Sequence, residues 1–375
     1  MDIRILIAFG TRPEIIKLGP VYRALREAGA HVDAFWSGQH VDLAEGLLDL
    51  FEIKLTHNGF GVMQEPSLAG KFALITQQMQ SLLGSGQYDW LVVQGDTTTA
   101  AAGALAAFLN HVPVVHVEAG LRTATLHSPW PEEFNRRLIT IASTLHFAPT
   151  ERSRDNLLRE GVPDDCISVT GNTAVDALHY ARARLGGGYA PIDREIANLP
   201  RDKKLVLATL HRRENIGAPL DDILKALCEL GNDGDKLILL PVHPNPDIRA
   251  HVMRALGGQP NIRLLKPLHY TDFVYLLSRS WTVVTDSGGV QEEAPTFGLQ
   301  ILITRESTER PEVVEAGFGT LVGSDGDAIV AAVRRLTGSD APQLLRARNP
   351  FGDGNASGRI AERIFRPRAL QLAAE

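Results

Sequence analysis

The chain has 375 residues, 44% of them hydrophobic and 22% charged, with a formal net charge of −6. That length suggests two domains, the composition is that of a soluble globular protein, and the negative balance argues against a nucleic-acid partner. No run approaches the roughly 18 apolar residues that a membrane helix needs, and the two distant cysteines, Cys166 and Cys228, are expected as reduced thiols in a cytosolic protein.

The N-terminal run Met1-Asp2-Ile3-Arg4-Ile5-Leu6-Ile7 carries an acid near its start and reads as a first strand, not as a signal peptide. Apolar runs predict strands over residues 3–9, 31–36, 90–94, 114–117, 145–147 and 167–169 in the first half. In the second half they predict strands over 204–209, 236–241, 262–265, 281–284 and 300–303. Helical patterns lie between them, for example over 14–28, 67–83, 220–230 and 328–336. Such alternation implies parallel sheets with helices on both faces. Gly186-Gly187-Gly188-Tyr189-Ala190-Pro191 reads as a linker. The expected fold class is α/β, two Rossmann-like doubly wound domains with a cleft between them, spanning 1–185 and 186–357. A last helical stretch from 358 is expected to cross back onto the first domain.

Ligands of open parallel sheets bind beyond the carboxyl ends of the strands, so the residues just after each strand are the informative ones. Phe9-Gly10-Thr11-Arg12-Pro13-Glu14 has one glycine where a dinucleotide fingerprint needs three. Pro13 suits a first helical position. Arg12 and Lys17 lie near that helix start, where the dipole favours anions, although Glu14 is an obvious surface partner for both. Asp96 follows a strand and is well placed as an N-cap. Glu118 ends a buried apolar strand, a costly place for a carboxylate unless something pairs or uses it; Arg122 is the plain partner. Glu132 starts a helix, where it could pair with Arg136 at i,i+4. Each carboxylate has a bland account, yet all three fall on the carboxyl-end side of one sheet. Crowded carboxylates do not all ionise cheaply, so at least one pKa should rise, which separates a proton donor from an acceptor.

In the second half, His211 and His243 sit just past strands. A lone loop histidine is usually structural, but a nearby anion site raises the standing of His211. Val283-Val284-Thr285-Asp286-Ser287-Gly288-Gly289-Val290-Gln291-Glu292-Glu293 runs from strand through a glycine turn into a helix. Its free N–H groups and the Ser287 hydroxyl suit a diphosphate, and the Glu293 carboxylate suits a neutral polyol such as a ribose. The bland reading is a Gly288-Gly289 turn capped by Ser287. Arg310, just before Pro311, has the fork geometry to clamp a diphosphate. No metal site emerges, because the histidines are scattered and there is no Cys cluster. Walker A and Gly-x-Ser-x-Gly patterns are absent as well.

Eight stretches then carry a shared pattern: Gly10-Thr11-Arg12-Pro13-Glu14, Gly95-Asp96-Thr97-Thr98-Thr99, His116-Val117-Glu118-Ala119-Gly120-Leu121-Arg122-Thr123, Pro131-Glu132-Glu133, Thr170-Gly171-Asn172-Thr173, His211-Arg212-Arg213-Glu214-Asn215, Thr285 to Glu293, and Thr308-Glu309-Arg310-Pro311-Glu312. In this order, over nearly the whole chain, they resemble the non-hydrolysing UDP-N-acetylglucosamine 2-epimerases. The resemblance implies two Rossmann-like domains of the two-domain glycosyltransferase (GT-B) type. It implies interconversion of UDP-GlcNAc and UDP-ManNAc without NAD or metal, by elimination of UDP to a 2-acetamidoglucal and re-addition. Carried over by motif, Asp96, Glu118 and Glu132 become the acid/base carboxylates and His211 an assistant near the leaving diphosphate. Arg12, Lys17 and Arg136 would hold anionic groups. Ser287, Gly288, Gly289, Glu293 and Arg310 would grip UDP, with Phe273 beside the uracil. A homodimer is the expected assembly.

Sister activities remain open: a 2-epimerase of a related UDP-sugar such as a diacetamido uronate, a hydrolysing epimerase, or a glycosyltransferase of the same fold. Many bacterial members follow a Gln-His pair with an arginine, and later carry a further glutamine, to build a second, activating UDP-GlcNAc site. This chain instead has Gln39-His40-Val41-Asp42. The residue chemistry agrees with the implied route. C2–H is not acidic, so departure of UDP must do much of the work, and donors fixed on the phosphates act on the transition state.

Overall fold

A computed structural model describes residues 3–38, 45–123, 125–186, 189–210, 217–242, 245–336 and 348–366. The chain divides into two compact units, Met1–Ala177 with Phe351–Glu375, and Leu178–Pro350. The division falls inside the helix Thr173–Arg184. That is ahead of the glycine-rich stretch expected as a linker, of which Gly187 and Gly188 lie outside the described residues.

The first unit contains β1 (Arg4–Phe9), β2 (His31–Trp36), β3 (His57–Asn58), β4 (Trp90–Gln94), β5 (Val114–Val117), β6 (Leu145–Ala148) and β7 (Ile167–Val169). They pair in the order β3-β2-β1-β4-β5-β6-β7, every described pair parallel. The second unit contains β8 (Lys204–Thr209), β9 (Lys236–Pro241), β10 (Ile262–Leu265), β11 (Thr282–Thr285), β12 (Gln300–Ile303) and β13 (Gly319–Leu321). Their order is β10-β9-β8-β11-β12-β13, again parallel. In each sheet the order reverses beside the first strand, which is the mark of a doubly wound fold.

These strands form because both of their faces are covered. Ile5 to Phe9 are fully buried, as are Leu91 to Val93, and such strands read as continuous apolar runs. Two short strands at the sheet edges, β3 and β13, were not foreseen. With two and three residues respectively they are too short to carry a pattern. The helix Arg12–Glu27 starts two residues earlier than expected, set by a capping box between Thr11 and Glu14 and by Pro13 in its first turn. Behind β4 lies the helix Thr98–Leu109, whose buried alanines pack on Ile75, Met79 and Leu83 of the helix Leu68–Leu83.

The last described helix, Ala356–Phe365, belongs to the first unit and buries Ile360 and Ile364. Asp176 accepts from Ala356 N (3.2 Å), Ser357 N (2.7 Å) and Ser357 Oγ (2.6 Å), so a carboxylate caps this helix start. Asn172 N donates to Phe351 O at 2.6 Å. Gly171 has φ +89°, and a Cβ there would lie 3.2 Å from Gly352 Cα, so this approach of two backbones requires glycine. Among the described residues no helix is long and apolar enough to cross a membrane.

Candidate active site

In the first unit the candidate site is built where β1, β4 and β5 end. Glu118 follows β5 with φ +64°, a left-handed conformation that costs a non-glycine residue about 1–3 kcal/mol and persists only where its surroundings enforce it. The enforcing contacts are buried. Lys17 Nζ and Asn172 Nδ2 both donate to Oε1, the latter at 3.1 Å, and Gln94 Nε2 donates to Oε2. The plain partner expected from sequence, Arg122, is elsewhere; it holds Glu160 (2.7 Å) and Thr140 Oγ1 (2.9 Å).

Asp96 is not the N-cap of its helix. Thr97 is, with Oγ1 accepting from Ala100 N at 3.0 Å. Asp96 is thereby released to Arg136, whose Nε and Nη2 approach Oδ2 at 2.8 and 2.6 Å. Arg136 also meets the fully buried Glu133 at 3.2 Å. The expected i,i+4 partnership of Glu132 with Arg136 is therefore replaced by pairs to Asp96 and Glu133. Glu132 stands one turn before Arg136 on the helix Glu132–Ala142, and its Oε2 is buried without a hydrogen-bond partner. Asn135 Nδ2 donates to Asp96 O at 2.8 Å, and Gly95, between Gln94 and Asp96, lies against Glu118 Oε2. The structure thus brings Lys17 to Glu118 and Arg136 to Asp96, two pairs linked through the stretch Gln94-Gly95-Asp96, with Glu132 on the helix that supplies Arg136.

Glu14 differs most from expectation. It is no surface partner of Arg12 and Lys17 but is fully buried. Its Oε2 accepts from Gly10 N (3.0 Å), Thr11 N (2.8 Å) and Thr11 Oγ1 (2.8 Å), and its Oε1 from Thr97 Oγ1 (2.7 Å). Burial pushes the carboxyl up to about 7, against the pull of these donors. Glu14 thus adds a buried carboxyl with a raised pKa that the sequence reading placed at the surface. Glu14 ties Gly10 and Thr11, just before the half-buried Arg12, to the residue after Asp96. Behind them His116 Nε2 donates to Gly95 O at 2.8 Å, and burial drives its pKa down to about 3, so it stays neutral.

In the second unit the turn after β11 is built as its sequence suggests, with one change. Ser287 is the N-cap residue of the short helix Gly288–Glu293, but its side chain makes no capping bond. A hydroxyl not spent on capping is available to a ligand. A Cβ at Gly288 would lie 2.7 Å from the Arg310 guanidinium carbon, so glycine there lets Arg310 lie against the turn. A Cβ at Gly289 would meet nothing closer than Ser287 Oγ at 4.0 Å, so packing does not account for that glycine. Arg310 is oriented by Glu292 (Nε to Oε1, 2.8 Å) and Glu309 (Nη1 to Oε2, 2.8 Å). Glu293, nearly buried, accepts from Tyr270 Oη at 3.1 Å. Phe273 is half-buried on the helix Tyr270–Arg279 that begins with this tyrosine. His211 and His243 lie outside the described residues, as do Gln39 to Asp42. Among the described residues no group of three or more His, Cys, Asp or Glu is placed to hold a metal ion.

A family model described as UDP-N-acetylglucosamine 2-epimerase matches residues 23–365. The chain belongs to the UDP-N-acetylglucosamine 2-epimerase family. It is 43% identical over 368 residues to the probable UDP-N-acetylglucosamine 2-epimerase of Ralstonia solanacearum, covering 96% of this chain and 98% of that one. To the UDP-N-acetylglucosamine 2-epimerase of Salmonella typhimurium it is 42% identical over 370 residues, with the same coverage. The crystal structure of the Neisseria meningitidis UDP-GlcNAc 2-epimerase bound to UDP-GlcNAc superposes with a TM-score of 0.89 at 38% identity, covering 96% of this chain and 99% of that one. The fold is the α/β, GT-B-like pair of Rossmann-like domains of this 2-epimerase family. Four residues escaped the sequence reading as participants: Glu14, Gln94 and Asn172 in the first unit and Tyr270 in the second. A polar Gln94 at the end of a buried apolar strand was a visible signal.

Proposed function

We propose that the protein interconverts UDP-N-acetylglucosamine and UDP-N-acetylmannosamine without net hydrolysis. The observation that carries this reading is the pair of carboxylates held by cations in the first unit, Glu118 and Asp96, with a third, Glu132, whose Oε2 is buried and unpartnered, on the helix that supplies Arg136. It is supported by membership of the 2-epimerase family and by the UDP-GlcNAc bound to the Neisseria relative.

The C1–O bond to the diphosphate breaks, the C2 proton leaves, and a C1=C2 double bond forms. UDP then re-adds to C1 while a proton reaches the opposite face of C2. Proton transfer on two faces needs more than one carboxyl group, and the trio Asp96, Glu118 and Glu132 supplies them. Lys17 and Arg136 keep Glu118 and Asp96 in place. Ser287, the first amides of the turn at Gly288 and Gly289, and Arg310 meet the charge that develops on the departing diphosphate. Glu293, steadied by Tyr270, takes the ribose, and Phe273 lies towards the base. His211 assists at the diphosphate and Arg12 holds an anionic group.

Incubating UDP-GlcNAc in deuterated water tests this: deuterium is expected at C2 of both epimers. Epimers recovered without label overturn it, and accumulation of free UDP points to a hydrolysing enzyme. The reading includes a homodimer, supported by Phe108, Leu109, Phe134 and Ile141, exposed on the adjoining helices Thr98–Leu109 and Glu132–Ala142. Light scattering at the mass of one 40.8 kDa chain would refute the dimer.

A further inference from the structure

We infer that Asn172 and Gln94 are positioning residues that aim Glu118, and that they leave its Oε2 as the oxygen that meets the sugar. The inference rests on the function proposed above and deepens it.

Each carboxylate oxygen presents two lone pairs to donors. Lys17 and Asn172 fill Oε1, whereas Oε2 takes Gln94 and keeps one lone pair. Glu118 sits past the end of β5 in a left-handed conformation; backbone bonds hold Val117 O and Ala119 N on either side of it, but they do not fix where its carboxylate points. Its three donors must do so.

Asn172 is itself fixed. Its Oδ1 accepts from Ala174 N at 2.9 Å, which turns Nδ2 towards Glu118. Its main-chain N–H is bound to Phe351 O, and the glycine contact Gly171–Gly352 presses on the same point. Phe351 and Gly352, of the same unit, therefore buttress the amide that holds the carboxylate. Gln94 is equally buried, as the last residue of β4. Both donors are neutral amides. They set direction without adding a second positive charge beside the one that Lys17 already provides.

A purely structural role would be the cap that Asn172 gives the helix Thr173–Arg184. That cap uses Oδ1 alone. Asn172→Ser keeps a good capping oxygen and removes the donor to Glu118. Gln94→Met, on another element, keeps the volume and removes the donor to Oε2. For each variant we expect kcat for UDP-GlcNAc epimerisation to fall by about 10- to 100-fold, the scale of a displaced reacting group. C2 deuterium exchange should fall in parallel, while KM and UDP affinity stay within about twofold and the melting temperature barely moves. Wild-type kcat in both variants overturns the inference, as does a loss that appears in UDP affinity or melting temperature instead. A wild-type protein that places no deuterium at C2 takes down the function and the inference together. An active wild type with unimpaired variants takes down the inference alone.

Discussion

Glu14→Gln separates the electrostatics of the buried carboxyl from its hydrogen bonding. Glu14 titrates near 7 in the folded protein, against an ordinary 4.5, chiefly because it is buried. Between these values the folded state binds a proton that the unfolded state has lost, so stability falls as pH rises. The stability is complete below pH 4.5 and its loss is complete above about 7. A shift from 4.5 to about 7 corresponds to roughly 3 kcal/mol. Glutamine has no such titration. Its carbonyl oxygen can keep the donors Gly10 N, Thr11 N and Thr11 Oγ1, and its amide can donate to Thr97 Oγ1, which turns to accept. Denaturant unfolding of both proteins between pH 4.5 and 8 gives the difference in stability. The variant should gain on the wild type by roughly 3 kcal/mol across that window. A difference that stays flat with pH would refute the reasoning and would mean that the four donors keep Glu14 ionised.

Asp96→Asn and Glu118→Gln should each abolish turnover while UDP still binds by calorimetry; loss of UDP binding in both would mean that these residues shape the fold around the site. Tyr270→Phe removes one hydrogen bond from Glu293, worth about 1 kcal/mol, so UDP should bind roughly fivefold more weakly. UMP, which shares the ribose, should lose as much, and an unchanged UMP affinity would place Glu293 away from the sugar of the nucleotide.

The strands were legible because parallel strands covered on both faces leave uninterrupted apolar runs, as in Ile5 to Phe9. The positions of Asp96 and Glu118 followed from strand ends. Their partners did not. Sequence reasoning offered neighbours in the chain, Arg122 for Glu118 and Glu14 for Lys17. In a doubly wound sheet, however, the loops after separate strands meet in space, and Lys17 reaches Glu118 across 101 positions. Arg136 reaches Asp96 across 40. Asn172 was visible only as part of a motif, because its carboxamide gains its meaning from Ala174 on one side and Glu118 on the other. The burial of Glu14 was missed for a related reason. Nothing in Thr11-Arg12-Pro13-Glu14 says that the first helical turn packs inward against Thr97.

Departure and return of UDP is the step on which the account stands, and positional isotope exchange reads it directly. UDP-GlcNAc carrying oxygen-18 in the bridge between C1 and the β-phosphate is incubated with the protein, and the position of the label is followed by phosphorus NMR. The account predicts that the label spreads into the non-bridging β-phosphate oxygens at a rate comparable to epimerisation. Inversion at C2 with the label retained in the bridge would contradict it.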